Sequence, residues 1–147
     1  MFGVNPYTIF GDIVAGRAEA SRVYEDDDVV AFMDIRPMTP GHLLVVPKVA
    51  ARSLAELDPV VGGKLFQVAQ KLAGALRDSE VACDGVNFFL ADGVTAGQEV
   101  FHVHLHVIPR TPGDGFGLRG RPTSPHRADL DYLASSIRGA FDRRVGL

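Results

Sequence analysis

The sequence predicts an α+β fold: a mainly antiparallel five-stranded sheet with one long helix and a C-terminal helix. Three observations point there. Short β-rich runs alternate with Gly, Pro and Asp at spacings suited to hairpins, one longer stretch carries apolar residues at helical intervals, and a second helical pattern closes the chain. At 147 residues the chain suits one domain with its own core, spanning 1–147 and including an irregular Gly/Pro-rich loop and the C-terminal helix from about 111.

The elements follow in order. Arg22-Val23-Tyr24 and Val29-Val30-Ala31-Phe32-Met33 are β-rich, and the acidic run from Glu25 to Asp28 reads as a solvated hairpin turn. Pro37-Met38-Thr39-Pro40-Gly41 is a rigid connection, because each proline biases its predecessor away from helix. His42-Leu43-Leu44-Val45-Val46 forms a third strand, stopped by Pro47. Ser53-Leu54-Ala55-Glu56 has capping-box spacing for a short helical turn, and Asp58-Pro59 offers an N-cap followed by proline at the first helical position. From there to about Arg77, Leu65, Val68, Ala69, Leu72, Ala73 and Leu76 keep helical spacing, so an amphipathic helix covers a sheet. Gly85 to Leu90 reads as a fourth strand. The loop from Asp92 to Glu99 then leads into a histidine-rich fifth strand ending at Pro109-Arg110. Asp129 to Phe141 has helical character, with Leu130, Leu133 and Ile137 on one face.

Composition excludes several classes. The net charge of −3 comes with no basic stripe of the kind nucleic-acid binding needs; Arg138, Arg143 and Arg144 surround Asp142 at a solvated helix end. The single cysteine, Cys83, excludes an internal disulfide and reads as a small hydrophobe near a strand start. No signal-peptide pattern and no run of ~18 apolar residues is present, so the expected location is cytoplasmic, away from membranes.

The chemistry is expected in His102-Val103-His104-Leu105-His106-Val107-Ile108, which holds three of the chain's five histidines. Period two projects the imidazoles from one face of a strand while Val103, Leu105 and Val107 enter a core. Three readings compete: histidines satisfied on a solvated face, a metal site, or catalysis on a phosphate. Against a metal, the outer two of three such residues lie ~13 Å apart on a straight strand, and outside ligands such as His42 or Cys83 show no recognisable ligand spacing. For phosphate chemistry, a neutral imidazole is a good nucleophile towards phosphorus and a second one can stabilise phosphoryl oxygens. Thr95-Ala96-Gly97-Gln98-Glu99, directly before the strand, adds a glycine that lets backbone N–H groups approach an anion and an amide able to donate to it.

Gly97-Gln98-Glu99-Val100-Phe101-His102-Val103-His104-Leu105-His106-Val107-Ile108-Pro109-Arg110 resembles the signature of the histidine triad (HIT) family. Thr8 to Val14, Val23 to Asp27, Asp34-Ile35 and Pro40 to Lys48 continue the resemblance in order, over roughly residues 7–117. It implies a homodimeric α+β fold that binds a purine nucleotide and cleaves at its α-phosphorus. His104 would attack that phosphorus, forming a nucleotidyl-histidine intermediate that water hydrolyses. His106 would contact the phosphate or assist the leaving group, and His102 would orient the site. His42 matches the family's additional histidine, Gly97, Gln98 and Glu99 fall on the phosphate-binding segment, and Asp34, beside Ile35, falls where an acidic residue binds the ribose. Phe10 and Ile13 would flank the base, though Phe10 and Ile35 read equally well as core residues. Nucleoside phosphoramidates and dinucleoside polyphosphates are the implied substrate classes. The alternative is a nucleotide-binding or partner-interacting protein with little turnover.

Three departures stand out. Many relatives hold a structural zinc with Cys-x-x-Cys, a histidine after Pro-Lys and the first triad histidine; the corresponding outside positions here are Thr8, Gly11 and Ala50. The expectation is therefore a protein without zinc or other cofactor. Ala91 stands where an amide is frequent near the phosphate, and Glu99 where Ser or Thr is frequent. A carboxylate facing a phosphate is unfavourable, so Glu99 is expected to contribute only its backbone N–H.

Overall fold

The computed structural model describes residues 8–146; Tyr7, where the resemblance begins, lies outside them. The chain divides into two compact units, Met1–Phe116 and Gly117–Leu147.

The first unit is built on one five-stranded antiparallel sheet in the order β1-β2-β3-β5-β4. The strands are β1 (Arg22–Glu25), β2 (Val29–Met33), β3 (Leu43–Pro47), β4 (Gly85–Phe89) and β5 (Leu105–Arg110). Pro47 completes β3 rather than stopping it. The acidic run is the β1–β2 turn: Asp26 accepts the backbone N–H groups of Asp28 and Val29, and Lys64 bridges Asp26 and Asp28. Hydrogen bonds and Lys64 hold the Asp26 carboxyl well below its usual range.

Each face of the sheet has its own core. On one face lies α2 (Pro59–Asp78), whose N-cap Asp58 accepts the Val60 N–H and whose Pro59 occupies the first turn. Its buried residues are Leu65, Val68, Ala69, Leu72, Ala73 and Leu76, the stripe that the spacing predicts. Most of them pack on Val29, Ala31, Leu43, Val45, Val103, Leu105 and Val107. Cys83, partly buried against this core, matches its expected role as a small hydrophobe.

The opposite face carries α1 (Ile9–Val14), a six-residue helix that its sequence does not announce. Thr8 caps it by accepting the Gly11 N–H, and Phe10 and Ile13 pack on Val30, Phe32, Leu44 and Val46. The Ser53–Glu56 segment forms turns rather than a capping-box helix, because Glu56 reaches back to the Arg52 backbone N–H and guanidinium instead of the Ser53 amide.

The second unit contains α3 (Arg127–Val145), longer at both ends than the predicted Asp129–Phe141, and none of its residues is buried.

Candidate active site

The β2–β3 connection and the register of β3 with β5 assemble the site. The ladder pairs Met33 with Leu43, and one step further the Asp34 N–H donates to the His42 carbonyl at 3.0 Å, which sets Asp34 beside His42. Leu44 pairs with His106, so His42, two residues earlier on the same face, is a diagonal neighbour of His106. The connection itself is pinned. Thr39 Oγ1 donates to the buried Pro109 carbonyl at 2.7 Å, and Gly41 sits at φ +95°, where a Cβ would meet Val81 Cγ1 at 2.5 Å.

The histidine segment is only partly a strand. β5 begins at Leu105, so His106 alone of the three lies in the ladder; His102, at a bend, and His104 precede it outside the strand. The alternation survives nonetheless. Val103, Leu105 and Val107 enter the core against α2, while Phe10 on α1 packs edge-on against His104 at a 4.9 Å ring separation. His104 and His106 also meet edge-on at 4.9 Å. His102 and His104 are buried and His106 is half-buried, so the reading of a solvated histidine face does not hold.

The hydrogen bonds fix the tautomers. His104 Nδ1 lies 2.8 Å from the His102 carbonyl, which can only accept, so Nδ1 carries the proton and Nε2 keeps its lone pair. His42 Nδ1 accepts the Met38 backbone N–H at 3.0 Å, which places the His42 proton on Nε2. That Nε2–H donates to His106 Nδ1 at 2.8 Å, leaving a donor N–H on His106 Nε2. His102 Nε2 donates to the Pro47 carbonyl at 2.7 Å. A chain of backbone groups therefore turns four imidazoles into one nucleophilic nitrogen and one outward N–H donor.

Burial keeps these rings neutral. Desolvation is the largest cause lowering the pKa of His42, His102 and His104 from 6.5, and Asp34 partly opposes it at His42 and His104. His106 falls to about 4, through burial first and then the neighbouring His104 and His42.

The remaining candidates divide. Asp34 Oδ1 accepts the Arg36 N–H at 2.8 Å, while Oδ2 stands 3.6 Å from His42 Nε2. Ile35 is 90% exposed, which rules out the core reading and leaves it on the surface next to Asp34. Phe10 and Ile13 are core residues beneath the triad. Gly97 adopts the left-handed conformation at φ +96°, ending a 3-10 turn from Val94 to Ala96. Gln98 departs from its expected task. Its amide is buried, with Oε1 accepting the Gly93 N–H and Nε2 donating to the carbonyls of Arg52 and Val100, so both of its donors serve the loop. Glu99 points outward, 80% exposed and paired with Arg36 at 3.6 Å. Ala91 is buried. Met38, Thr39 and Pro47 contribute through backbone groups or a core hydrogen bond, for which residue type carries no signal.

A structural zinc does not fit the residues present. His102 Nδ1 is buried without a partner, as an orphaned ligand would be. However, Thr8 uses its hydroxyl as a helix cap, Gly11 has no side chain and Ala50 is exposed. One nitrogen cannot hold the ion. A different set, Asp34, His42 and His106, brings its ligand atoms within 4.8 Å of one another, so the outside ligands that sequence spacing did not reveal are supplied by topology. The His42–His106 hydrogen bond already satisfies the two imidazoles there.

Comparison with known proteins identifies the family. The HIT domain family matches residues 15–113. The chain is 44% identical over 132 residues to Protein hit of Bacillus subtilis, covering 88% of this chain and 90% of that one. It is 31% identical over 137 residues to the adenylylsulfatase HINT3 of Arabidopsis thaliana, covering 93% and 68%. A crystal structure of a HIT family protein from Bacillus anthracis superposes with a TM-score of 0.83 at 39% identity, covering 90% of this chain and 95% of that one.

Proposed function

The chain belongs to the HIT family, and from that premise we propose that it is a nucleotide hydrolase working through a covalent nucleotidyl-His104 intermediate. The family includes hydrolases such as the Arabidopsis adenylylsulfatase. The observation that carries the proposal is the His104 Nδ1–H···O=C bond to His102, which leaves Nε2 as a neutral, oriented nucleophile.

In the first step His104 Nε2 attacks the α-phosphorus of a purine nucleotide. An N–P bond forms, the bond from phosphorus to the leaving group breaks, and the leaving group departs with a proton from the His106 imidazolium. In the second step water attacks the same phosphorus and returns a proton to His106, the N–P bond breaks, and the nucleoside monophosphate leaves. His106 donates through Nε2–H to a phosphoryl oxygen, its tautomer held by His42. An arriving phosphate anion raises the pKa of His106 and so equips it to protonate the leaving group. Asp34 Oδ2 accepts from the ribose hydroxyls, and exposed Ile35 lies along the base. The backbone N–H groups of residues 97–99 receive the phosphate, because the Gln98 side chain is committed to the loop. Phe10 buttresses the His104 ring. No step needs a metal. The molecule acts as a homodimer in the cytoplasm, as the family resemblance implies.

Gln98 and Ala91 favour a second reading, nucleotide binding with little turnover, since neither offers a side-chain donor to the phosphate. AMP release from an adenosine phosphoramidate, a diadenosine polyphosphate and adenylyl sulfate separates the two. Turnover of at least one substrate that His104→Ala abolishes supports the hydrolase. Tight AMP binding with no turnover of any substrate supports the binding protein.

A further inference from the structure

Beside the triad stands an ion pair that its chemistry does not use. Asp34 Oδ1 accepts the Arg36 N–H at 2.8 Å, and from this turn the Arg36 guanidinium meets the Glu99 carboxylate at 3.6 Å. Glu99 belongs to a different segment. It follows Gln98, whose amide ties the loop to the Arg52 and Val100 carbonyls, and it precedes Val100, which packs on the same sheet face as Phe10. The pair therefore joins the turn that places Asp34 beside His42 to the segment that leads into His102. The two side chains are 85% and 80% exposed, and so solvated a pair contributes little to stability. Holding the fold does not account for it.

The charge around the site does. Among the described residues of the first unit, every Lys and Arg pairs with a carboxylate except Lys71 and Arg77. Those two lie on α2, which packs on the sheet face opposite the triad. The triad rings are neutral, Asp34 adds a carboxylate, and Arg36 is held by Glu99. A polyphosphate leaving group finds no free cation here and meets the Glu99 carboxylate, an adverse like-charge contact. An amine leaving group brings no negative charge. Its nitrogen takes a proton while still bonded to phosphorus, so positive charge gathers where a nearby carboxylate stabilises it. The electron pair of the breaking P–N bond then stays on nitrogen, and the amine departs neutral.

Resting on the hydrolase reading, we propose that Arg36 and Glu99 set leaving-group specificity: Glu99, by holding Arg36, selects amine leaving groups over anionic polyphosphate ones. The two side chains act as a charge filter at the phosphate, separate from the nucleophile and from the His42–His106 hydrogen bond.

Steady-state kcat/KM for AMP release from an adenosine phosphoramidate of a simple alkylamine and from diadenosine tetraphosphate tests it, on the full chain at low salt. The wild type is expected to favour the phosphoramidate. Glu99→Gln frees Arg36 for the polyphosphate and is expected to lower that preference about tenfold. Arg36→Gln leaves the Glu99 carboxylate unanswered and is expected to raise it about tenfold. Added salt is expected to shrink both shifts. A wild type that favours the polyphosphate overturns the inference, as does a preference that neither substitution moves or that both move the same way. The readout is a ratio between substrates, so a general loss of folded protein cancels from it. AMP release that survives His104→Ala, or a wild type that turns over neither substrate, overturns the hydrolase reading instead. Dissociation constants for ATP and AMP by calorimetry then read the same filter, and a Glu99→Gln variant with no relative gain for ATP overturns it.

Discussion

In the proposed mechanism His104 owes its nucleophilicity to a main-chain carbonyl, so its role and that of His102 separate under mutation. His104→Ala is expected to reduce kcat/KM for AMP release by roughly 10³-fold or more, since no other ring offers an oriented lone pair to the phosphorus. His102→Asn keeps the carbonyl that orients His104 and is expected to lose far less, as steady-state kinetics would show. On the proposed mechanism His42 acts through His106: Met38 N–H fixes the His42 tautomer, and His42 fixes that of His106. His42→Phe is therefore expected to leave the neutral His106 ring as a mixture of tautomers, visible in ring nitrogen shifts by NMR, with kcat lowered more than KM is raised. Since burial lowers the pKa of His104 below 6.5, kcat/KM is expected to stay level from pH 8 to that value and to fall only under more acid conditions. An acid limb centred above pH 6.5 contradicts the neutral nucleophile. The period-two histidines and their apolar neighbours were legible at this scale. Gln98 was not, because its carbonyl acceptors come partly from Arg52, which only the folded chain brings near.

Elements that carry a strong period are the ones the sequence announces. α2 has a cap, a first-turn proline and a buried stripe that spacing alone identifies. α1 has the Thr8 cap but no first-turn proline and no long apolar stripe over six residues that include Gly11, and its stability comes from Phe10 and Ile13 packing on the sheet. The start of β5 is hidden for a related reason. Alternation describes where side chains point, but a ladder needs a partner, and β3 pairs with β5 only from Leu105 to Val107. Val103 donates instead to the Ala51 carbonyl, in the segment after β3. The β2–β3 connection is the element on which the site geometry depends most. At Gly41 a side chain meets both a positive φ and the Val81 methyl. Gly41→Ala is expected to destabilise the fold by about 1–3 kcal/mol in urea titration, with a loss of activity beyond that of an equally destabilised variant in the α2 core.

For the whole molecule, four neutral imidazoles under one sheet face make stability depend on pH. Their folded-state pKa values lie below the ordinary 6.5, so the unfolded chain takes up protons first as pH falls. Their contribution is complete above about pH 6.5 and is lost as pH falls towards 4, where His106 itself titrates. Tm is expected to decline across that window, and less steeply in a His106→Asn variant. Zinc is expected to be absent from the purified protein by elemental analysis, and activity to be unchanged by EDTA, because only His102 remains of the relatives' ligand set. Among the described residues no helix is long and apolar enough to cross a membrane. The family, the sheet and the long helix could be read from the sequence, whereas the exposure of α3 depends on what the chain packs against. Rapid acid- or base-quench mass spectrometry during turnover of an adenosine phosphoramidate tests for the covalent intermediate itself. The prediction is a transient mass increase of one adenylyl group, located by fragmentation on His104 and absent from His104→Ala. AMP release at wild-type rates from His104→Ala, or an adduct on another residue, would contradict it.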